Sequence, residues 1–510
     1  MAKYKRYSYQ QALLIPVNFH HQILPGSFEY ALNHIVDNEL DLSIFESRYN
    51  NDKTGARAYD PAIMLKIVLY AYSRGITSSR EIERLCDQNV IFIALSADTH
   101  PHFTTIADFI SSMKDQILLL FRDVLLYCQE LNLIDKTMFA IDGCKLSSNA
   151  SKEWSGTHKD YEKKIEKLEK TIKYILDKHI KTDLRDVEAI PINNEKKHVE
   201  NIRKKIDKIK RFLAVNEDKK GAHNYIKKSN ITDNESAKMP SSKGVIQGYN
   251  GVAIADAKHQ VIVHAEAFGQ GPEKNLLKPM LDGAKNNFQA ISHTEDIFKN
   301  AEFIADTGFY TKTNLQLLDE ENIDGYIPDN KFRKRDPLFN TAKRHDRPID
   351  RNKTTKRAKY FQPKDFKYDE VHNKMICPAG KQMYIRNSNY QYKGSKAIAY
   401  MARIRDCREC NLRPNCIRKQ KTTARQVHIF YERKDNHLLK KMRGKIDSAR
   451  GRYIYSKRMQ IIEPVFANIR SNLKLDHFSL RGQVKVDIQW KLFAIIHNIR
   501  KIYRYGAGFA

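Results

Sequence analysis

The sequence predicts a mixed α/β protein preceded by an all-helical amino-terminal part. Residues 1 to about 135 carry helix-type apolar spacing with start and stop signals. From Lys136 the apolar runs shorten and become rich in β-branched residues. These runs come first in hairpin-like succession and then alternate with helical stretches, the order of a mixed sheet. At 510 residues the chain is too long for one ordinary core, so two to four domains are expected.

In chain order, Asp60 can cap a helix that begins at Pro61, continues as AIMLKIVLYAYSR and closes at Gly75. A second helix starts at Ser78, with Glu81 at capping-box spacing. A third follows Thr105 and runs unbroken through IADFISSMKDQILLLFRDVLLYCQEL. Arg74, Arg80 and Arg84 cluster near the first turn, as in a helix-turn-helix DNA reader or a plain bundle. The first strand is MFAID (138–142). GVAIADA (251–257) and QVIVHAEAF (260–268) read as a hairpin turned at Lys258 and His259. EFIAD (302–306) and DGYIP (324–328) are two further strands, with a helical NLQLLDEEN between them.

Two stretches interrupt this sheet. In 158–215, Ile165, Leu168, Ile172 and Ile175, then Ile202, Ile206, Ile209 and Leu213, keep heptad spacing in two arms joined through Pro191. An antiparallel helical hairpin is the simplest reading. The second stretch, 329–450, has little periodicity and holds four of the seven cysteines. The expected domains are therefore 1–135, 136–328, 329–450 and a carboxy-terminal helical part, 451–510.

Charge points to a partner. The chain has 89 Lys and Arg against 60 Asp and Glu, a net of +29. Residues 329–450 alone hold 34 basic and 12 acidic residues, a net of +22, leaving +7 for the other 388. A concentrated excess suits a polyanion such as nucleic acid better than a general solubility role. No apolar run reaches the length of a membrane span, and the amino terminus lacks a signal-type apolar segment. An odd, scattered cysteine count fits a reducing, cytoplasmic compartment.

The chemistry is carried by acids. Asp142 and Asp306 stand at the ends of two apolar strands, where open α/β sheets place their ligands. Each alone reads as a turn or a helix cap. Glu463 lies in YIYSKRMQIIEPVFANIR with Tyr455, Arg458 and Arg470 at helical spacings. Pro464 removes a donor and disfavours the helical region for Glu463, so a break is expected there. Three converging carboxylates are what two Mg²⁺ or Mn²⁺ ions need to clamp a phosphodiester, since hard cations take oxygen ligands. Trp154, Trp490, Tyr249 and Tyr310 are candidates for stacking on bases, or simply core aromatics.

These residues, with YDPAIMLKIVLYAYSRGITSSREIERLCDQNVIFIAL, IDGCKLSSNASK, GYNGVAIADAKHQVIVHAEA, IADTGFY and RGQVKVDIQWKLFAIIHNIRKI, make the chain resemble bacterial insertion-sequence transposases of the DDE class. The similarity runs nearly end to end, to the branch with a Tyr-Arg-Glu-Lys signature and an InsH-type helical amino-terminal domain. The resemblance implies a ribonuclease H-like core with Asp142, Asp306 and Glu463 as the metal-binding triad. It also implies Tyr455, Arg458 and Arg470 as contacts to the DNA backbone, Arg80 among the DNA-binding residues, and a homodimer on double-stranded DNA in the bacterial cytoplasm. Two departures stand out: four residues separate Arg458 from Glu463 where three are usual, and Arg470 replaces Lys. Glu432 is a distant alternative acid. A stand-alone nuclease and a decayed DNA-binding protein are the rival functions.

Cys377, Cys407, Cys410 and Cys416 supply one CxxC and two further thiolates, the ligand set of a structural zinc site, with packed reduced cysteines as the alternative. Zinc would order a basic stretch that lacks a good core of its own.

Overall fold

The computed structural model describes residues 18–49, 57–183, 192–221, 224–241, 244–292, 296–339, 360–369, 374–392, 395–419, 421–432, 437–506 and 508–509. Two compact units emerge. One is formed by the described residues up to Asp329 together with those from Ser448 on, the other by Asn330–Asp447.

The larger unit opens with helices. Ser27 caps α1 (Phe28–Asn38) by accepting from the Tyr30 amide at 3.1 Å. Asp60 caps α2 (Pro61–Ser73), accepting from Ala62 N at 2.7 Å with proline in the first turn, as the sequence predicts. The capping box at α3 (Ser79–Gln88) does not form: Ser78 makes no side-chain cap, and Glu81 pairs instead with Arg84. The predicted third helix is two, α4 (Phe103–Ser111) and α5 (Gln116–Glu130). Ser112 closes the first onto the Asp108 carbonyl through both its amide and its hydroxyl.

The sheet follows. β1 (Met138–Ser147) is longer than its apolar run, because Gly143 to Ser147 stay paired with Val252 to Gly248. Asp142 is therefore inside a strand and not at its end. Next come two helices, α6 (His158–Asp183) and α7 (Ile192–Val215). Tyr161 meets Phe212 with ring centroids 5.7 Å apart, and Lys210 pairs with Glu169 at 3.5 Å, so the helices run antiparallel. Ile202, Ile206 and Ile209 are buried between them; Pro191 lies outside the described residues.

β2 (Ala237–Ser241), β3 (Gly244–Asp256) and β4 (Ile262–Phe268) continue the sheet antiparallel. The Asp256 carboxylate accepts from Lys258 N and Val261 N, which shapes a wider turn than the two residues predicted. α8 (Leu277–Ser292) leads to β5 (Glu302–Ala305), and α9 (Lys312–Glu320) to β6 (Asp324–Tyr326). Among the described residues the sheet has six strands in the order β6-β5-β1-β3, with β2 and β4 both on β3; β1, β5 and β6 are mutually parallel.

The carboxy-terminal stretch closes this unit. α10 (Ala449–Ser456), α11 (Arg458–Ile461) and α12 (Glu463–Ala467) are short and successive, and Ile462 interrupts the last two beside Pro464, the break that proline predicts. α13 (Gln483–Tyr505) is buried around most of its circumference and packs on β4 and on α1, α2 and α5. Its Trp490 donates Nε1–H to the Val252 carbonyl at 3.0 Å, and its Phe493 stacks on Tyr72 at 5.2 Å. Trp490 and Tyr249 are thus core residues and not base-stacking platforms, since both are fully buried.

The smaller unit overturns one expectation. It has a sheet of its own, β7 (Lys367–Asp369), β8 (Lys374–Ile376), β9 (Gln382–Tyr392), β10 (Ser395–Met401) and β11 (Gln426–Glu432), antiparallel throughout. Phe366, Met375, Met383, Tyr400, Ala402 and Val427 make a small core. Bulges in β9 near Asn387 break the alternation that would have advertised the strand. Arg335 and Asp447 join the unit's two ends by a two-pronged ion pair at 2.6 and 3.1 Å.

Candidate active site

Strand register brings the first two acids together. β1 and β5 run parallel with Ile141 opposite Ala305, so the next residue on each, Asp142 and Asp306, emerges at the same level. β5 stops there, while β1 continues on its other partner, β3. Asp306 turns into a short 3-10 helix and caps it, its Oδ1 accepting from Gly308 N at 2.6 Å. The cap and the strand-end reading are both correct for this residue. Asp142 Oδ1 accepts from Gly143 N at 2.9 Å.

Glu463 arrives through Arg458. The half-buried guanidinium forms an ion pair with Asp142 Oδ2 through Nη2 and reaches Glu463 Oε1 through Nη1 at 3.1 Å. One cation therefore bridges a strand acid and a helix acid that are far apart in sequence. Tyr455 lies within electrostatic reach of the same guanidinium. Arg470 extends from a π-type turn, Asn468–Asn472, and its charge pulls down the Cys144 thiol that burial raises. With Gly143 and Lys145 it lines an open cleft of about 480 Å³ along β1.

A fourth carboxylate belongs here and was missed in the sequence. Glu273, on the turn before α8, is largely buried and receives Asn250 Nδ2 at 3.3 Å and Lys145 Nζ at 3.8 Å. Its carboxylate sits between the glycines that follow the two aspartates. A Cβ on Gly308 would lie 2.3 Å from Glu273 Oε2, and one on Gly143 would lie 3.0 Å from Oε1. Only glycine at both places lets the acid approach. The sequence signal was faint, an acid after Pro272 on a loop with no strand to announce it.

The electrostatics are those of crowded acids. Burial raises Asp142 to about 6; Arg458 opposes this, while Asp306 and Glu463 add to it. Burial raises Glu273 to about 7, helped by Asp306 and Asp142 and opposed by Lys145. Such groups favour either a proton or a cation. The donors are all oxygen, and Arg458 already places positive charge between Asp142 and Glu463, so the set suits a hard divalent ion. Among the described residues no three His, Cys, Asp or Glu side chains stand grouped as a ready-made metal site. Here the guanidinium holds two of the acids and must yield for an ion to enter.

The remaining predicted residues lie elsewhere. Arg80 is exposed on α3, its guanidinium 4.6 Å from the Phe103 ring centre. The Glu432 side chain lies outside the described residues. In the smaller unit, Cys377, Cys407, Cys410 and Cys416 line one apolar pocket of about 30 Å³. Burial raises the Cys416 thiol; Arg425 pulls it back, and the other three cysteines push it up. Arg413 and Arg425 fix the loops by donating to the Cys407 and Cys416 carbonyls at 2.9 and 3.2 Å.

No helix among the described residues is long and apolar enough to cross a membrane. Two family models match the chain: a transposase DDE domain over residues 376–503 and a transposase domain (DUF772) over residues 17–112. No curated protein matches it. The first match spans the cysteine loops, Tyr455, Arg458, Glu463 and Arg470, and the second spans α1 to α4. Transposase models thus match both its opening helices and the stretch that carries its third acid, and together they support an insertion-sequence DDE transposase.

Proposed function

We propose that this transposase binds the ends of its element and uses Asp142, Asp306 and Glu463, with Glu273 beside them, to cut DNA and join it to a target. The observation that carries this reading is the convergence itself: register sets Asp142 beside Asp306, and Arg458 draws Glu463 to them. The sheet supports a ribonuclease H-like core, with three antiparallel strands followed by two parallel ones beside the first. The acids would hold one or two Mg²⁺ or Mn²⁺ ions, which supply charge neutralisation for an in-line phosphoryl transfer.

The chain's own contribution is positioning. Arg458, released from the acids, is free to pair with a phosphate, and Arg470 and Lys145 line the cleft where the backbone would lie. Tyr455 can donate to a neighbouring phosphate oxygen. The first cut needs a water at the acid cluster, and the joining step needs the freed 3′-hydroxyl at the same place. Arg80 and the basic residues of 329–450 would hold flanking DNA, with two copies pairing two ends in the bacterial cytoplasm. We also infer that the four thiols take a structural zinc, which their shared pocket supports.

The test is cleavage of an end-bearing duplex by Asp142→Asn, Asp306→Asn and Glu463→Gln variants. Each should lose cleavage and keep binding; full activity in any one removes that residue from the site. Supplying pre-cut ends separates a transposase, which joins them, from a stand-alone nuclease, which does not.

A further inference from the structure

A second concave site opens in the larger unit. A cavity of about 750 Å³ is walled by the end of α2, residues 464–472 and the last turns of α13. Pro464, the residue after Glu463, lines it, so this cavity and the acid cluster share α12.

Four cations face the cavity, Arg74, Arg500, Lys501 and Arg504, against the single carboxylate of Glu29. Among the described residues none of the four makes an ion pair. Arg500 donates to the Ser73 carbonyl at 2.9 Å and lies 5.5 Å from the Phe28 ring centre. Lys501 donates to Gln260 Oε1 at 2.7 Å. Arg74 and Arg504 are exposed. The positive charges crowd one another: burial and then Arg504 push Lys501 down to about 8, against the pull of Asp256. Burial and then Arg74 lower Arg500.

Helix ends explain part of this. Cations at the carboxy-terminal ends of α2 and α13 are favoured by the helix dipoles. That favours a cation at each end but gives no reason to gather four around one open cavity, where each adds repulsion. An anion does, because guanidinium and ammonium donors converge on phosphate oxygens with charge-assisted bonds. Asn468, Ser471 and Asn472 add neutral polar groups to the same wall.

We propose that this cavity is a phosphate-binding site that grips the backbone of a DNA strand beside the acid cluster. The inference rests on the DNA-processing reading of that cluster. The phosphate chemistry could equally serve a free anion, so the test separates the two sources. Arg74→Gln with Arg504→Gln removes two exposed charges without disturbing the core, and the Lys pair at the same positions keeps them. Full-length protein is titrated with an end-bearing duplex over a range of salt. The slope of log K against log salt should fall by about 2 in the Gln pair, near 0.9 per lost phosphate contact, and recover in the Lys pair. An unchanged slope in the Gln pair overturns the inference. So does a Gln pair that loses stabilisation by inorganic phosphate yet binds DNA with the parent slope, since the cavity then serves a free anion. The reading beneath it fails separately, if Asp142→Asn cuts DNA like the parent.

Discussion

The larger unit holds a cluster of acids and the smaller one a pocket of thiols, and they are held by opposite means. In the larger unit strand register sets Asp142 beside Asp306, Arg458 bridges Asp142 to Glu463, and Glu273 approaches alongside two glycines. Their mutual repulsion is carried by a core built of Phe139, Ile141, Phe303 and Ile304 beneath them and by Arg458 between them. In the smaller unit four thiols, two of them on short helices, line a pocket at the rim of a small core, with Arg425 beside Cys416. The difference is one of support: strand register and an arginine hold the acids, while the thiols rest at the edge of a small core.

The comparison breaks first at the acids. Asp142→Asn, Asp306→Asn and Glu463→Gln should each lower end cleavage by about a thousandfold or more, roughly 4 kcal/mol of barrier, in a gel assay, with melting temperature within a few degrees of the parent. A variant that unfolds instead would show that the acid cluster is no more preformed than the thiols. The second effect concerns the smaller unit. Cys407→Ser with Cys410→Ser, or a strong chelator, should lower its melting transition by about 10 °C while leaving that of the larger unit in place. Calorimetry reads both, and metal analysis should find one zinc per chain. A zinc-free protein with an unmoved transition means the thiols are merely packed.

Glu273 sharpens the hard side. Its folded value near 7 and that of Asp142 near 6 both lie above the ordinary carboxylate range. The folded state thus binds more protons than the unfolded state between about pH 4 and 7. Metal-free protein should lose stability as pH rises through that window, and Mn²⁺ affinity should rise as the protons leave. Glu273→Gln should weaken Mn²⁺ binding about tenfold and remove the upper part of its pH dependence, measured by calorimetric titration. Unchanged affinity would leave Glu273 a bystander. The smallest effect is at Arg458. Arg458→Ala should cost the metal-free protein about 1 kcal/mol, because largely buried Asp142 and exposed Glu463 lose their partner, and most of that loss should vanish in saturating Mn²⁺.

Much of this was legible in the sequence where local rules act alone. Asp60 before Pro61 set a helix start, and β3 and β4 announced a hairpin. Asp142 and Asp306 were found because short apolar runs ended on them. Elsewhere tertiary structure overrode the local signal. Glu81 had a better partner in Arg84 than in a cap, and β1 ran on past Asp142 because β3 offered it a full ladder. Glu273 was invisible because its significance lies in two glycines brought to it from β1 and from the turn after β5. The smaller sheet hid behind bulges and a surface too basic to show alternation.

The place of α13 in the larger unit has a consequence for synthesis. α1, α2, α5 and β4 all bury apolar surface against a helix made near the end of the chain, and Glu463 is translated only shortly before it. Until residues 448–510 have left the ribosome, the nascent protein has neither its third acid nor the helix that covers its sheet. The third acid and the helix that covers the sheet thus join the larger unit in one late stretch of folding.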